Sequence, residues 1–347
     1  MIKQIKLACL AVACCVGWVA CDTEKEREIC DYKVQLRYDY NEENTTTENR
    51  IEYWVYTIDE YIFDENNLLY QYRQVTPERC VEYMHSELEL PPGRYSVIAV
   101  GNRDERSTAT DTRTNSAPVI GVTHRDDMRL SLDNCESREN GTKGPCEELF
   151  HGYKTFTVKE NGISRVRVDM INAHFQLRFR VTWKNNTTPD RGNYYATLES
   201  IPSEYILMPE YIYTSSSVEC EPHDCDAHDL YPDNCNNVIH HIPRTCHQNR
   251  NVLTHRNDTY INADSEMWGQ FVNYRIKTET VPVLRIYDSA GTQIIKDIDL
   301  QRYFDWYNYE LDYELKQEYE MDIIVDGTTV TLVPLNVADW DEGGVIY

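Results

Sequence analysis

The most chemically loaded stretch of the chain runs from Cys220 to His247. It holds Cys220, Cys225, Cys235 and Cys246, interleaved with His223, His228, His240, His241 and His247 and with Asp224, Asp226, Asp229 and Asp233. Thiolate and imidazole are the donors that zinc prefers, so a metal centre is the first chemistry to weigh. Structural zinc sites pair cysteines about two to four residues apart. Here the intervening gaps are four, nine and ten residues. An oxidising compartment also turns thiols into disulfides before they can serve as ligands. The expectation is therefore two disulfides bracing a long loop, with no metal and no cofactor. Metal binding by the histidines alone, after oxidation, stays open as a surface property.

Cys21 suggests a different chemistry. Lys3 and Lys6 precede an apolar stretch from Leu7 to Ala20, which is fourteen residues long. A helix needs about 20 apolar residues to span a bilayer, so this stretch is a secretory signal, 1–20, and stands outside the fold. It ends in Trp18-Val19-Ala20-Cys21, which resembles a bacterial lipobox, where small residues precede a cysteine that is diacylated before cleavage. Trp18 stands where such boxes usually carry Leu. Ordinary cleavage after Ala20 would leave Cys21 a plain thiol; lipid attachment at Cys21 is the expectation, because the change from apolar to charged falls there. The tether that follows, 21–29, carries Asp22, Glu24, Glu26 and Glu28 against Lys25 and Arg27. It resembles the acid-rich export signal of surface lipoproteins.

Cys30, Cys80, Cys135 and Cys146 complete a set of eight cysteines beyond Cys21, an even number that fits up to four disulfides in an exported protein. Proximity suggests Cys135 with Cys146, and the remainder pairs Cys30 with Cys80. No catalytic constellation accompanies them. The sequence has no His-Glu-x-x-His, no Gly-x-Ser-x-Gly, no phosphate-binding glycine loop and no EF-hand loop. His85 and His174 fall on polar positions of strands and are expected to be exposed; His151 reads as a turn histidine. With 34 Lys+Arg against 58 Asp+Glu, the net charge of −24 argues against nucleic acid as a partner, because phosphate binding needs a basic footprint.

The elements that must hold these residues are strands. Tyrosine outnumbers phenylalanine 26 to 7, and tyrosine suits pleated surfaces with one wet face. Tyr32–Tyr40 alternates with Val34, Leu36 and Tyr38 on one face, and His174–Trp183 alternates with Phe175, Leu177, Phe179 and Val181. Strands at 54–63 and 68–73 flank an Asp64–Asn67 turn, and Pro91-Pro92-Gly93 leads into another at 95–102. From Arg103 to Asp127 the pattern is that of an exposed loop. A hairpin turning at Glu160-Asn161-Gly162 follows. Later strands fall near 194–200, 205–213, 268–276, 281–287 and 292–296, with a short helix from Asp299 to Tyr307 and a last hairpin across Asp326-Gly327. The sum is an all-β chain of two successive sandwiches, 30–172 and 173–347, the second carrying the Cys/His-rich insertion at 218–250.

Several motifs in order resemble the FimB-type fimbrial anchor lipoproteins of Bacteroidetes. They are Cys30-Asp31-Tyr32 leading to Leu36-Arg37-Tyr38-Asp39-Tyr40, then Ile62-Phe63-Asp64 and Leu90-Pro91-Pro92-Gly93-Arg94-Tyr95 running into Ala99-Val100-Gly101-Asn102. Leu149-Phe150-His151-Gly152, Ile298-Asp299-Leu300 to Tyr303, and Trp340 complete the set. The family usually has Trp where this chain has Val100, and Tyr where it has Phe150; the Cys/His-rich insertion lies outside the pattern. The resemblance implies two transthyretin-like Greek-key β-sandwich domains and lipid anchoring to the outer membrane. It also implies a base subunit that starts a fimbrium and limits its length, with a stalk subunit bound by strand complementation. The rival from the binding class is a fimbrial tip or adhesin-like subunit that takes a host ligand or a metal through 218–250. A polymerising subunit, cut from its lipid after Arg27, Arg37 or Arg50, is a further rival.

Overall fold

The computed structural model describes residues 34–41, 49–76, 85–132, 143–160, 162–184, 189–190, 192–212, 240–245, 252–261, 266–312, 314 and 316–334. The chain is built almost wholly of strands, as its composition and alternation anticipate. In β1 (Val34–Asp39) the alternation places Val34, Leu36 and Tyr38 on one fully buried face. β1 runs parallel to β9 (Ser164–Asn172) on one side and antiparallel to β4 (His85–Leu88) on the other. Opposite lie β3 (Leu69–Val75), β2 (Ile58–Phe63), β5 (Gly93–Gly101) and β8 (Phe150–Val158), paired in the order β3-β2-β5-β8. β8 and β9 pair only where Phe150–Gly152 meets Met170–Asn172. Beyond that corner the two layers face each other, and Leu36, Tyr38, Ile62, Val97, Phe156 and Val168 share one core.

The second half repeats this plan. β10 (His174–Trp183) runs parallel to β18 (Gln317–Asp326) and antiparallel to β15 (Glu266–Tyr274), and β19 (Thr329–Pro334) pairs with the far side of β18. The facing sheet is β14 (Val252–Tyr260), β11 (Asn193–Pro202), β16 (Val283–Asp288) and β17 (Ile298–Asp299). Phe175, Phe179, Leu198, Ile286, Phe304 and Met321 belong to its core. The short helix Leu300–Trp306 starts at Asp299, whose carboxylate accepts the Gln301 N–H, an N-cap that satisfies an otherwise orphaned donor.

A third sheet joins the halves. β6 (Thr108–Asp111) and β7 (Met128–Ser131) come from the first, β12 (Glu204–Ile212) and β13 (His240–Thr245) from the second, in the order β13-β12-β7-β6. Periodicity failed here for a physical reason. The expected loop 103–127 contains β6, and its polar residues Ser107, Thr110, Asp111 and Thr123 are buried and hydrogen-bonded within the fold. Asp111 accepts the Arg113 N–H, for example, at 2.8 Å. Residues 54–57 form no strand: Ile51–Trp54 is one helical turn, and Asn102 holds the following segment by accepting the Tyr56 N–H and donating to the Trp54 carbonyl. β14 was hidden by its polar Thr-His-Arg-Asn-Asp run. Residues 292–296 show only an isolated pairing of Gln293 with Tyr287.

Gly152 explains one sequence motif. It sits at the β8–β9 corner, where an added Cβ would lie 2.6 Å from Met170 Sδ and 2.8 Å from Val168 Cγ1. Gly152→Ala should therefore destabilise the fold by about 1–3 kcal/mol through overpacking. Chemical denaturation reads this as a lower midpoint at an unchanged slope.

Candidate functional site

The sequence offers no familiar catalytic motif, and the geometry that stands out is how the first strand is held, how the two halves are joined, and which sheet edges are paired. β1 is held by a buried polar knot. The Tyr38 hydroxyl donates to Glu60 Oε1 at 2.7 Å, and Glu60 is wholly buried. Arg73 on β3 pairs with the same carboxylate and hydrogen-bonds Ser86 on β4. Four strands thus meet at one charge. Burial, followed by the Glu60 carboxylate, pushes the Tyr38 hydroxyl well above its ordinary pKa, so it stays a donor. On the outer face Asp39 pairs with Arg37 at 2.7 Å and with Arg167 of β9 at 3.0 Å. Asn49 closes the end of the strand, accepting the Tyr40 N–H at 2.9 Å and donating to the Tyr38 carbonyl at 3.0 Å.

The junction has its own core. Leu130, Leu132, Cys146, Leu149 and Tyr153 of the first half pack with Tyr205, Leu207, Val272 and Tyr274 of the second. β7 and β12 pair Ser131 with Glu204, Leu130 with Tyr205 and Arg129 with Ile206. Arg129 binds Glu204 at 2.9 Å and Thr110 at 3.1 Å, tying β6, β7 and β12 together. The Tyr274 hydroxyl donates to Ser107 at 3.0 Å, and the Cys146 N–H to the Val272 carbonyl at 2.9 Å.

Two histidines expected elsewhere belong to this junction. His174 is buried, not exposed: its Nδ1 donates to the Leu149 carbonyl at 3.0 Å while Nε2 lies 3.6 Å from Glu318. His151 is a buried strand residue rather than a turn residue, and its Nε2 donates to the Leu207 carbonyl at 2.8 Å. Both stand at positions that alternation marks as polar, but a second domain covers that face. Arg275 is the residue sequence reading missed. It is buried, and it donates to the Asn172 carbonyl at 3.0 Å and to the Glu314 carbonyl. Burial lowers its pKa. No sequence signal distinguishes it from the many exposed arginines. Burial alone would raise the Glu318 carboxyl, but the neighbouring His174 ring and the Lys316 ammonium outweigh that and hold it below the ordinary range.

Of the eight disulfide candidates, Cys146 is buried in the junction, with Sγ 3.3 Å from the Glu147 carbonyl. Cys30, Cys80, Cys135, Cys220, Cys225, Cys235 and Cys246 lie outside the described residues, as do the lipid-attachment candidate Cys21, the tether and Trp340. From the Cys/His-rich insertion only 240–245 is described, as β13, so His240 and His241 sit on a strand at the edge of the joining sheet. Among the described residues no three His, Cys, Asp or Glu side chains gather into a metal site, and no helix is long and apolar enough to cross a membrane. His85, on β4, is half-buried.

Two sandwiches of one plan, locked together by a shared sheet and a common core, define a tandem β-sandwich protein. The chain belongs to the Mfa2 family of fimbrillin-A associated anchor proteins, Mfa1 and Mfa2, whose model matches residues 26–343. The fimbrial-anchor resemblance of its motifs is thereby borne out, and the protein is fimbria-associated. Solved structures share the fold. A candidate adhesin from Bacteroides ovatus superposes with a TM-score of 0.60 at 14% identity, covering 86% of this chain and 95% of its own. A candidate polysaccharide-binding protein from Bacteroides thetaiotaomicron gives 0.58 at 14%, covering 88% and 99%. The fimbrial anchor protein Mfa2 from Porphyromonas gingivalis gives 0.56 at 12%, covering 86% and 94%. No curated protein matches the sequence.

Two stability measurements test this geometry. Tyr38→Phe removes a donor from buried Glu60 and should cost about 1–3 kcal/mol in denaturant unfolding. A carboxyl depressed in the folded state, as at Glu318, contributes stability above its unfolded pKa of about 4.3 and loses it as pH falls through the native value. Between about pH 5 and pH 3 the unfolding midpoint of the unsubstituted protein should therefore fall further than that of Glu318→Gln. Parallel curves would exclude the His174–Glu318 contact as a source of stability.

Proposed function

We propose that this protein is a cell-surface lipoprotein that anchors a fimbrium to the outer membrane as its length-limiting base subunit. Membership of the fimbrial-anchor family supports the setting. The observation that carries the anchor role is β1. An anchor must transmit load from its lipid into its fold, and only residues 22–33 separate Cys21 from β1, a reach of at most about 47 Å. It enters the sheet between two partner strands, and its apolar face is fully buried. A polymerising subunit cut after Arg37 would lose Val34–Arg37, four of the six residues of this strand, including the buried Val34 and Leu36. Arg37 is paired with Arg167 and His85 across both ladders, which shields its backbone from a protease that needs an extended substrate. A partner subunit is then held by β-augmentation, in which ladder hydrogen bonds supply affinity and alternate side chains supply register.

The same reading takes the two sandwiches, 30–172 and 173–347, as transthyretin-like Greek-key units with no enzymatic activity and no nucleic-acid partner. It takes Cys30 with Cys80, Cys135 with Cys146, and two pairings among Cys220, Cys225, Cys235 and Cys246 as disulfides formed on export. Intact mass of the protein drawn from outer membranes tests it. The expected species is an acylated Cys21 joined to a chain uncut through Arg27, Arg37 and Arg50. Cys21→Ala should move the protein from the membrane to the soluble fraction, because it removes every acyl chain. A lipid-free chain beginning after one of the three arginines would make this a polymerising subunit instead.

A further inference from the structure

The two sandwiches differ in one strand. In each, the first strand lies between an antiparallel neighbour and a parallel one: β1 between β4 and β9, β10 between β15 and β18. In each, four strands face that sheet, β3-β2-β5-β8 in the first and β14-β11-β16-β17 in the second. The second sandwich then adds β19 antiparallel to β18 over six residue pairs, from Met321 with Pro334 to Asp326 with Thr329. In the first sandwich no described strand is paired with Ser164–Asp169 on the matching flank of β9; β8 reaches only Met170–Asn172, and β13 comes near β9 without pairing to it.

We infer that this flank of β9 is a docking edge for an extended segment of the neighbouring fimbrial subunit, added antiparallel to β9. The inference rests on the anchor reading, which makes a fimbrial subunit the neighbour. Three observations support the occupant. The chain's own first strand is committed to the interior of this sheet, and its last described strand, β19, already fills the equivalent position in the other sandwich, so no described strand of this chain is left for the flank and the anchor reading supplies the segment from a neighbouring subunit. β19 shows what fits: Val330 and Leu332, two residues apart, pack on the core beneath. Finally, the outer face of β9 offers a charge. Arg167 is paired with Asp39 and Asp169, whereas Arg165 is exposed and has no ion-pair partner among the described residues. The occupant is therefore a strand of about six residues, apolar at alternate positions and acidic opposite Arg165.

Two measurements decide it. In the purified full-length protein, alternate amides of Ser164–Asp169 should exchange with deuterium at least about tenfold faster than those of Met321–Val325, which have ladders on both sides. Equal protection would show that the edge is already filled and overturn the inference. In fimbriated cells, p-benzoylphenylalanine replacing Arg165 should, on irradiation, join the lipidated protein to the stalk subunit within one alternately apolar segment. The same photoprobe replacing Glu87, on the opposite edge of the sheet, should not. Co-purification with fimbriae but no adduct at 165, or an adduct to the chain's own residues or to a second copy, overturns the inference alone. Absence of the chain from fimbriae overturns the anchor reading, and the inference with it.

Discussion

A ladder three residue pairs long, in which Arg129, Leu130 and Ser131 lie against Ile206, Tyr205 and Glu204, decides whether this molecule is one body or two. Without it, two sandwiches would hang on the single residue between β9 and β10. With it, Tyr205 and Tyr274 become core residues of both halves, and a hydrophobic cluster drawn from each forms around them. Each large apolar side chain withdrawn from water there contributes on the order of 1.5–3 kcal/mol. Inter-domain contacts within a chain are usually polar and permit relative motion; a paired sheet over an apolar cluster does not. In the proposed anchor role, tension between membrane and filament would pass through this junction.

The polar groups at the junction follow from the same constraint. Once β12 lies over the ends of β8 and β9, His151, His174 and Arg275 are removed from water, and each needs a partner at low dielectric. Backbone carbonyls supply them: Leu207 for His151, Leu149 for His174, Asn172 for Arg275. All three carbonyls belong to strands or strand ends at the seam. A buried polar group held this way fixes the relative position of two domains more sharply than apolar packing, because a displaced donor is costly to leave unsatisfied.

The internal repeat separates what both sandwiches share from what only one has. Two β-sandwiches of one plan need not both be finished: the second closes one flank with β19, and the first leaves the flank of β9 along Ser164–Asp169 unpaired among the described residues. Both insertions that build the joining sheet, β6–β7 and β12–β13, sit between strands of the common plan and leave the two cores intact. Elaboration of this fold has taken place at edges and corners.

The alternating runs at 34–39 and 174–183 announced their strands, and Asp299 announced a helix start, because burial of one face or capping of one turn is written within a few residues. Gly152 stood out as part of a motif, and Cys21 by the change from apolar to charged. β6 was read as loop and β12 as an isolated strand, β7 and β13 were not read as strands, and His174 was read as exposed. Their partners are remote: Arg129 and Glu204 stand 75 residues apart. Side-chain periodicity tells which face of a strand is covered, but ladder hydrogen bonds run between backbones that every residue shares. The sequence by itself determined the alternating strands, the turns between them and the start of the short helix. Which strands lie side by side, which polar residues the second domain buries, and which edge stays open were decided only when the chain packed, because neighbours in a sheet are chosen by tertiary burial.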